Sequence, residues 1–172
     1  KSYEKSQGET NMKCRHYYYL GEYMTRVMTE KGGAEQLSKE NWDILRMDEE
    51  EGPFSLEKTI LSFEKSCEMN FPYKNAAREI CSYIINLGWE ERRIVSFGCG
   101  KGILEWHINR ALPDYKLTCT DYTENAIHQL QNVFPACQHE VFDMINGDYS
   151  KWEKHIVIMY RVSTEFTETQ WE

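Results

Sequence analysis

The sequence has no apolar run long enough to cross a membrane, and its first residues, KSYEKSQGETNMK, are polar rather than signal-like. It is also poor in positive charge, because 20 lysines and arginines stand against 28 acidic residues, for a formal net charge of -8. That balance argues against a broad electrostatic surface for nucleic acid. We therefore expect neither a membrane nor a nucleic acid as partner, and the sequence leaves the oligomeric state open.

Closely spaced cysteine pairs are missing as well. Six cysteines occur, none of them in a C-x-x-C pair, and most lie in apolar segments. This pattern predicts reduced, mostly buried thiols in a cytoplasmic protein. Cys137 and His139 form a poor metal pair without visible partners, so the sequence assigns no metal site.

The 172 residues, 41% of them hydrophobic, suit one folded domain of ordinary size. The chain begins at a lysine and stops at TETQWE, in what reads as the opening of a helix. We therefore expect that natural sequence is missing, at either end or at internal gaps.

The first part of the chain has the apolar spacing of helices. One helix is predicted from Tyr17 to Met28 and stopped by Gly32-Gly33, and a second is predicted to begin after a Ser55 cap. A third helix is predicted from Tyr73 to Leu87, with Gly88 as its C-terminal cap. Residues 1–72 are therefore expected to form an N-terminal helical segment that acts as a cap or lid for the rest of the chain.

The remainder, residues 73–172, alternates between strand and helix patterns. Four runs read as strands: RIVSF, YKLTCT, HEVFDM and HIVIMY. A helix is predicted after each of the first two, and Thr123 is the expected cap of the second. Strands that alternate with helices predict an α/β domain with a doubly wound, mostly parallel sheet.

Three glycines, Gly98, Gly100 and Gly102, come after the first of these strands. A glycine-rich turn between a strand and a helix brings backbone N–H groups and a positive helix end close to a ligand. The spacing is G-x-G-x-G, so the dinucleotide fingerprint G-x-G-x-x-G and the P-loop are both absent. Asp121 ends the second strand, where a carboxylate can accept hydrogen bonds from both hydroxyls of a ribose. Asp143 ends the third.

The segments IVSFGCGKG, LTCTDYTENAI, VFDM and HIVIMYRVSTEF together resemble the class I S-adenosylmethionine-dependent methyltransferases, over roughly residues 73–172. The resemblance implies a Rossmann-like core with strand order 3-2-1-4, to which three further strands would normally be added. It implies S-adenosylmethionine as cofactor and transfer of its methyl group to an unidentified acceptor, with a small molecule or a protein side chain favoured.

The resemblance also assigns residues to the site. The implied cofactor contacts are Phe97, Gly98, Cys99, Gly100, Gly102, Asp121, Tyr122, Asp143, Met144 and Tyr160. The implied substrate contacts are Tyr19, Arg161 and Ser163. No catalytic base is assigned, because the sulfonium is already a strong electrophile and the protein mainly has to hold it in line and exclude water.

Two other functions stay open. Ser96 occupies a position that is usually acidic in the family, so one cofactor contact is expected to be weaker, which favours a non-catalytic interaction module. A nicotinamide-dependent oxidoreductase could use the same kind of sheet, although the glycine spacing speaks against it. Near the glycines, His107 is expected to be a packing residue and Lys101 to be solvated.

Overall fold

Residues 14–27 contain an antiparallel hairpin. The computed structural model describes residues 14–19, 22–27, 39, 42, 56–68 and 71–162. Strands β1 (Cys14–Tyr19) and β2 (Glu22–Val27) pair with Cys14 opposite Val27 and Tyr19 opposite Glu22. The predicted helix from Tyr17 to Met28 is therefore wrong over the part that is described.

The physical reason lies in the residue types. The segments CRHYYY and EYMTRV are rich in tyrosine, threonine and valine, which favour strands. Only Leu20-Gly21 separates them in the sequence, and a two-residue spacer with glycine is a hairpin signal. Consecutive tyrosines satisfy the helical and the strand period at once, so the helical spacing was not diagnostic.

Two predicted helices before the sheet are confirmed. Helix α1 spans Leu56–Ser66 and helix α2 spans Pro72–Leu87. Proline at the first helical position loses no hydrogen bond there, and Gly88 ends α2 with a left-handed φ of 59° while its N–H donates to the Ile85 carbonyl. The expected cap Ser55 lies outside the described residues, and the division of the chain at residue 72 stays a prediction. No helix in the described ranges is long and apolar enough to cross a bilayer.

The predicted α/β fold is confirmed over residues 93–159. Strands β3 (Arg93–Phe97), β4 (Lys116–Asp121), β5 (Gln138–Val141) and β6 (Ile156–Met159) form one parallel sheet in the order β5-β4-β3-β6. Numbered within this sheet, that is the expected order 3-2-1-4. Helix α3 (Ile103–Ala111) connects β3 to β4 and helix α4 (Glu124–Val133) connects β4 to β5.

Local capping explains where α4 begins. The Thr123 hydroxyl accepts a hydrogen bond from the Ala126 N–H at 3.3 Å, as the sequence predicts. A short 3₁₀ helix, Tyr149–Trp152, lies in the connection from β5 to β6.

Both faces of the sheet carry buried side chains. One face packs on α2, α3 and α4 through a cluster that includes Ile94, Cys119 and Ile158. The other face holds a smaller cluster of Val95, Phe97, Phe142 and Trp152, in which the Phe97 and Phe142 rings lie 5.0 Å apart. Strands buried on two faces read as continuous apolar runs, which is why RIVSF was recognisable without alternation.

The strand order reverses beside β3, which lies between β4 and β6. The chain moves outward from β3 through β4 to β5 and then returns across the sheet to β6. In open parallel sheets the crevice at such a reversal, outside the carboxyl ends of the strands, is where ligands bind. The fold therefore brings the segments after Phe97, Asp121, Val141 and Met159 to one edge.

We predict a large difference between two adjacent isoleucines of α2. Ile84 is 1% exposed in the main core and Ile85 is 60% exposed. Ile84→Ala should lower the free energy of unfolding by about 2–5 kcal/mol, because it leaves a cavity. Ile85→Ala, the matched control, should change it by about 0.5 kcal/mol or less. Urea denaturation of both variants measures this, and equal losses would contradict the described orientation of α2.

Candidate functional site

The glycine loop between β3 and α3 has a backbone that other residues rarely adopt. Gly98, Gly100 and Gly102 have φ values of 67°, 57° and 73°. A Cβ on Gly98 would lie 2.5 Å from Val162 Cγ1, and a Cβ on Gly102 would collide with Leu130 Cδ2. The predicted strand-to-helix turn is confirmed, and glycine is required in it both by the left-handed backbone and by close packing.

Asp121, at the end of β4, is bonded directly to this loop. Its Oδ2 accepts a hydrogen bond from the Gly100 N–H at 2.9 Å, and its Oδ1 accepts a longer one from the Thr123 N–H at 3.4 Å. The side chain is buried at 4% exposure. A carboxylate has about four lone-pair positions, so such a group can accept more than two hydrogen bonds.

A second carboxyl group lies beneath the loop, and sequence reasoning missed it. The Ser96 hydroxyl donates a 2.7 Å hydrogen bond to Oε1 of Glu105, in the first turn of α3. Glu105 is only 3% exposed, and this burial raises its pKa to about 7. The expectation that Ser96 leaves its position without an acid is therefore incomplete, because α3 supplies a carboxyl group beside it.

Little in the sequence indicates this contact. An acid in the first turn of a helix is commonly an exposed partner of the helix dipole. Glu105 also stands among the apolar residues Ile103, Leu104 and Ile108, which are all buried with it on α3. Only that apolar setting, combined with the serine at position 96, could have indicated a buried pair.

Asp143 comes after β5 and organises its own loop. Its carboxylate accepts hydrogen bonds from the Ile145 N–H at 2.8 Å, the Asn146 N–H at 3.3 Å and the Asn146 side-chain amide at 2.9 Å. Burial opposes ionisation of this group, but these hydrogen bonds outweigh it and lower the pKa. The turn-forming role is thus present in the structure. Met144 reaches towards the loop, with its Cε 3.6 Å from where a Cβ on Gly98 would lie.

The segment after β6 packs on the first turn of α2. The rings of Tyr160 and Tyr73 meet edge to face with centroids 5.6 Å apart. Arg161 has a left-handed φ of 61° and donates from Nη1 to the Tyr73 hydroxyl at 2.6 Å. Tyr73 is therefore a site residue that the helical pattern identified only as apolar. Ser163 and the side chain of Tyr19 lie outside what the structure describes.

Helix α1 is attached close to the glycine loop. Lys101, predicted to be solvated, is half-buried, and its Nζ donates to the Ser62 hydroxyl at 3.4 Å. The second attachment joins His107 Nε2 to the Ser66 hydroxyl at 3.0 Å. Burial lowers the pKa of His107, which suits the packing role expected for it.

Three more of the implied cofactor contacts differ in how far their side chains are exposed to solvent. The Phe97 ring is 1% exposed in the aromatic cluster, and the Cys99 thiol donates inward to the Ser96 carbonyl at 3.2 Å. Burial raises the pKa of Cys99 to about 11. The Phe97 side chain faces the interior, so only its backbone can line a ligand, whereas the Cys99 side chain is half-buried with its thiol bonded inward. Tyr122, directly after Asp121, is half-buried.

A surface cleft of about 530 Å³ lies away from this edge. It is formed where α2 and α3 end and β3 begins, and two of its charged lining residues, Arg92 and Asp114, form an exposed ion pair at 3.6 Å. It contains neither the glycine loop nor the buried carboxyl groups. Its size alone does not make it the candidate site, which we place at the carboxyl ends of the strands.

Comparison with known proteins finds similar solved structures. DesVI of Streptomyces venezuelae matches at 17% identity and a TM-score of 0.39, over 45% of this chain and 32% of that one. The plantazolicin methyltransferase BpumL in complex with SAH matches at 17% identity and a TM-score of 0.46, over 72% of this chain and 48% of that one. The same enzyme in complex with a triazolic desmethylPZN analog and SAH matches at 20% identity and a TM-score of 0.40, over 62% of this chain and 40% of that one.

The chain thus spans less than half the length of each of these structures. No protein-family model and no curated protein matches it. The assignment of the fold depends on the strand order and helix positions of this chain itself.

We predict that Glu105 makes stability depend on pH. Its pKa is raised from an ordinary value of 4.5 to about 7, so between these values the folded protein binds more protons than the unfolded chain. The stabilisation that protonated Glu105 gives the folded state is fully present below about pH 4.5. It is lost as pH rises through about 7, which lowers the free energy of unfolding by about 3 kcal/mol. The groups around it are Ser96, Cys99 and Asp121.

Glu105→Gln keeps the shape of the side chain but cannot ionise. The free energy of unfolding of this variant, taken as a difference from that of the parent, should therefore be more favourable at pH 8 than at pH 5. Urea denaturation at both pH values measures the difference, with Glu79→Gln, on the exposed surface of α2, as the control. A constant difference between Glu105→Gln and the parent across this range would show that Glu105 does not titrate there.

Proposed function

We propose that this chain is the cofactor-binding part of an S-adenosylmethionine-dependent methyltransferase. The observation that carries the proposal is the hydrogen bond from the Gly100 N–H to Asp121 at the reversal of strand order. It joins a left-handed glycine loop to a carboxylate on the neighbouring strand, at the edge where parallel sheets bind ligands.

The residues at this edge fit the parts of that cofactor. Asp121 is a carboxylate, the kind of acceptor that ribose hydroxyls bind, and the glycine loop allows close approach to backbone N–H groups. Tyr122 and Met144 come after β4 and β5 and supply apolar surface for the adenine ring. Asp143, with a lowered pKa, stays ionised at neutral pH and could accept from the adenine amino group.

The charge at the edge also favours this cofactor. S-adenosylmethionine carries a positive sulfonium beside an amino-acid group whose ammonium and carboxylate offset each other, whereas a nicotinamide dinucleotide carries a negative pyrophosphate. Two carboxylates, Asp121 and Asp143, lie at the carboxyl ends of the strands. Their negative charge would attract the sulfonium and repel a pyrophosphate.

The bound cofactor would supply an activated methyl group, so the protein has mainly to orient the reactants and keep water out. Tyr160, Arg161 and Tyr73 border the edge after β6 and are the described residues best placed to meet an acceptor. We favour a small molecule or a protein side chain as that acceptor, in the cytoplasm.

Asp121→Asn should weaken binding of S-adenosylhomocysteine at least tenfold. The amide keeps the shape but loses the charge that strengthens its hydrogen bonds, each worth about 1.5–3 kcal/mol. Calorimetric titration of the parent and the variant measures the change, and circular dichroism checks that the variant is folded. Asp114→Asn, at the opposite edge, is the matched control. Equal affinity in Asp121→Asn and the parent would remove Asp121 from the site.

The same titration separates the alternatives. The parent should bind S-adenosylhomocysteine and not NAD or NADH. Binding of a nicotinamide dinucleotide with dependence on Asp121 would establish the oxidoreductase instead. Failure to bind either ligand would favour an interaction module.

Helix α1 should become more protected from hydrogen exchange when S-adenosylhomocysteine binds. It is attached to the loop region through Ser62–Lys101 and Ser66–His107, so ordering of the loop should slow its opening. Exchange measured by mass spectrometry over residues 56–68 tests this, with residues 83–90 at the far end of α2 as internal control. Protection confined to residues 95–145 would mean that α1 serves only stability.

A further inference from the structure

Three potential metal ligands meet on adjacent strands of the sheet. Cys119 of β4 and His139 of β5 are register partners, and Cys137 lies directly before β5. The two sulfurs are 3.2 Å apart, and the Cys137 sulfur is 3.4 Å from His139 Nε2. All three ligand atoms lie within 4.8 Å of one another. The pair Cys137 and His139 therefore has the partner that spacing could not reveal, because Cys119 is 18 residues before Cys137.

We propose that Cys119, Cys137 and His139 bind a thiophilic divalent metal ion, with Zn²⁺ as the best fit. Two thiolates and an imidazole are the ligands that zinc prefers. Bond lengths of about 2.3 Å to sulfur and 2.0 Å to nitrogen place tetrahedral ligands about 3.5–3.8 Å apart. The two separations that involve Cys137 are slightly shorter, and Cys119 and His139 offer ligand atoms within 4.8 Å of each other, so small side-chain rotations around an ion suffice.

The surroundings of His139 suit a fixed ligand. The Phe134 ring, at the end of α4, lies edge-on to the His139 ring at 6.3 Å, and the Phe134 backbone is close enough to influence the pKa of His139. Histidines that bind metals usually donate their second ring N–H to a carbonyl or carboxylate, which fixes the ring and selects the tautomer. The Phe134 backbone can provide this second contact.

Solvent can reach the cluster from one side. Cys119 is fully buried, whereas Cys137 and His139 are half-buried. We therefore assign three protein ligands and a water molecule to a tetrahedral ion. On binding, each cysteine thiol loses its proton to solvent as its sulfur bonds to the ion, and His139 binds as neutral imidazole.

A disulfide between Cys119 and Cys137 is the competing interpretation. It would require the sulfurs to close from 3.2 Å to about 2.05 Å, and it leaves the approach of His139 to Cys137 without a purpose. The metal interpretation uses all three side chains.

The site lies behind the glycine loop. The Cys99 thiol, between Gly98 and Gly100, interacts with the Cys119 sulfur. An ion on Cys119 would hold β4 and β5 together directly beneath the loop, without itself facing the ligand edge. Its role would thus be structural.

Titration of the reduced, untagged chain with Co²⁺ tests the proposal. We expect one equivalent to produce sulfur-to-cobalt charge-transfer absorption and tetrahedral visible bands, which Zn²⁺ then abolishes by displacement. Zn²⁺ should also raise the midpoint of thermal unfolding. Cys137→Ser and His139→Gln should each weaken Co²⁺ binding by about tenfold or more. Both positions are half-buried, so the variants should fold, and Cys119 is left unchanged.

Two exposed residues provide matched controls, Cys67→Ser and His128→Gln, which should bind Co²⁺ as the parent does. Absence of charge-transfer bands in the reduced parent overturns the proposal, as does binding that survives in both cluster variants. Loss of two titratable thiols on mild oxidation, combined with no metal binding by the reduced protein, would establish the disulfide instead.

Discussion

The hydrogen bond between the Gly100 N–H and the Asp121 carboxylate is the interaction on which the candidate site depends. It connects the loop after β3 to the end of β4, and the backbone bond from the Cys99 N–H to the Thr120 carbonyl at 2.9 Å reinforces the connection. The loop can make this contact only because its glycines adopt left-handed angles. The loop is thus held to β4 by the protein's own hydrogen bonds, which would lower the ordering cost of binding a ligand there.

Burial of polar groups beneath the loop results from the same arrangement. Ser96 ends up facing α3, where its hydroxyl meets Glu105, and its carbonyl accepts from both the Thr120 hydroxyl and the Cys99 thiol. Buried polar groups are tolerated when they are hydrogen-bonded to one another. The cost is a carboxyl group whose ionisation burial opposes. The fold and the proposed cofactor site therefore share one network.

Local signals in the sequence predicted much of the fold. The caps Thr123 and Gly88 and the runs RIVSF and HIVIMY specify their elements through neighbouring residues, so they could be read directly. The tyrosine-rich segment at 14–27 led to the wrong prediction of a helix, because its composition favours strands while its spacing also fits a helix. Propensity and period conflicted there, and pairing across the hairpin decided the outcome.

The geometry of the candidate site could be predicted where a residue depends on its own strand end, as Asp121 and the loop glycines do. It was missed where side chains from distant segments meet. Glu105 beneath Ser96, Lys101 on Ser62 and Tyr73 beside Tyr160 are contacts between elements, and no spacing rule within one segment encodes them. Whether the Cys99 side chain points outward or inward likewise depends on the backbone angles of the loop rather than on its composition.

The most direct test of the account is the response of the glycine amides to S-adenosylhomocysteine. The chain has 10 glycines, so selective ¹⁵N labelling gives a small set of resolvable signals. Saturating ligand should shift the resonances of Gly98, Gly100 and Gly102 and leave Gly88, at the far end of α2, unchanged. Unchanged signals from the three loop glycines at saturating ligand, or equal shifts at Gly88, would contradict a cofactor site at this edge of the sheet.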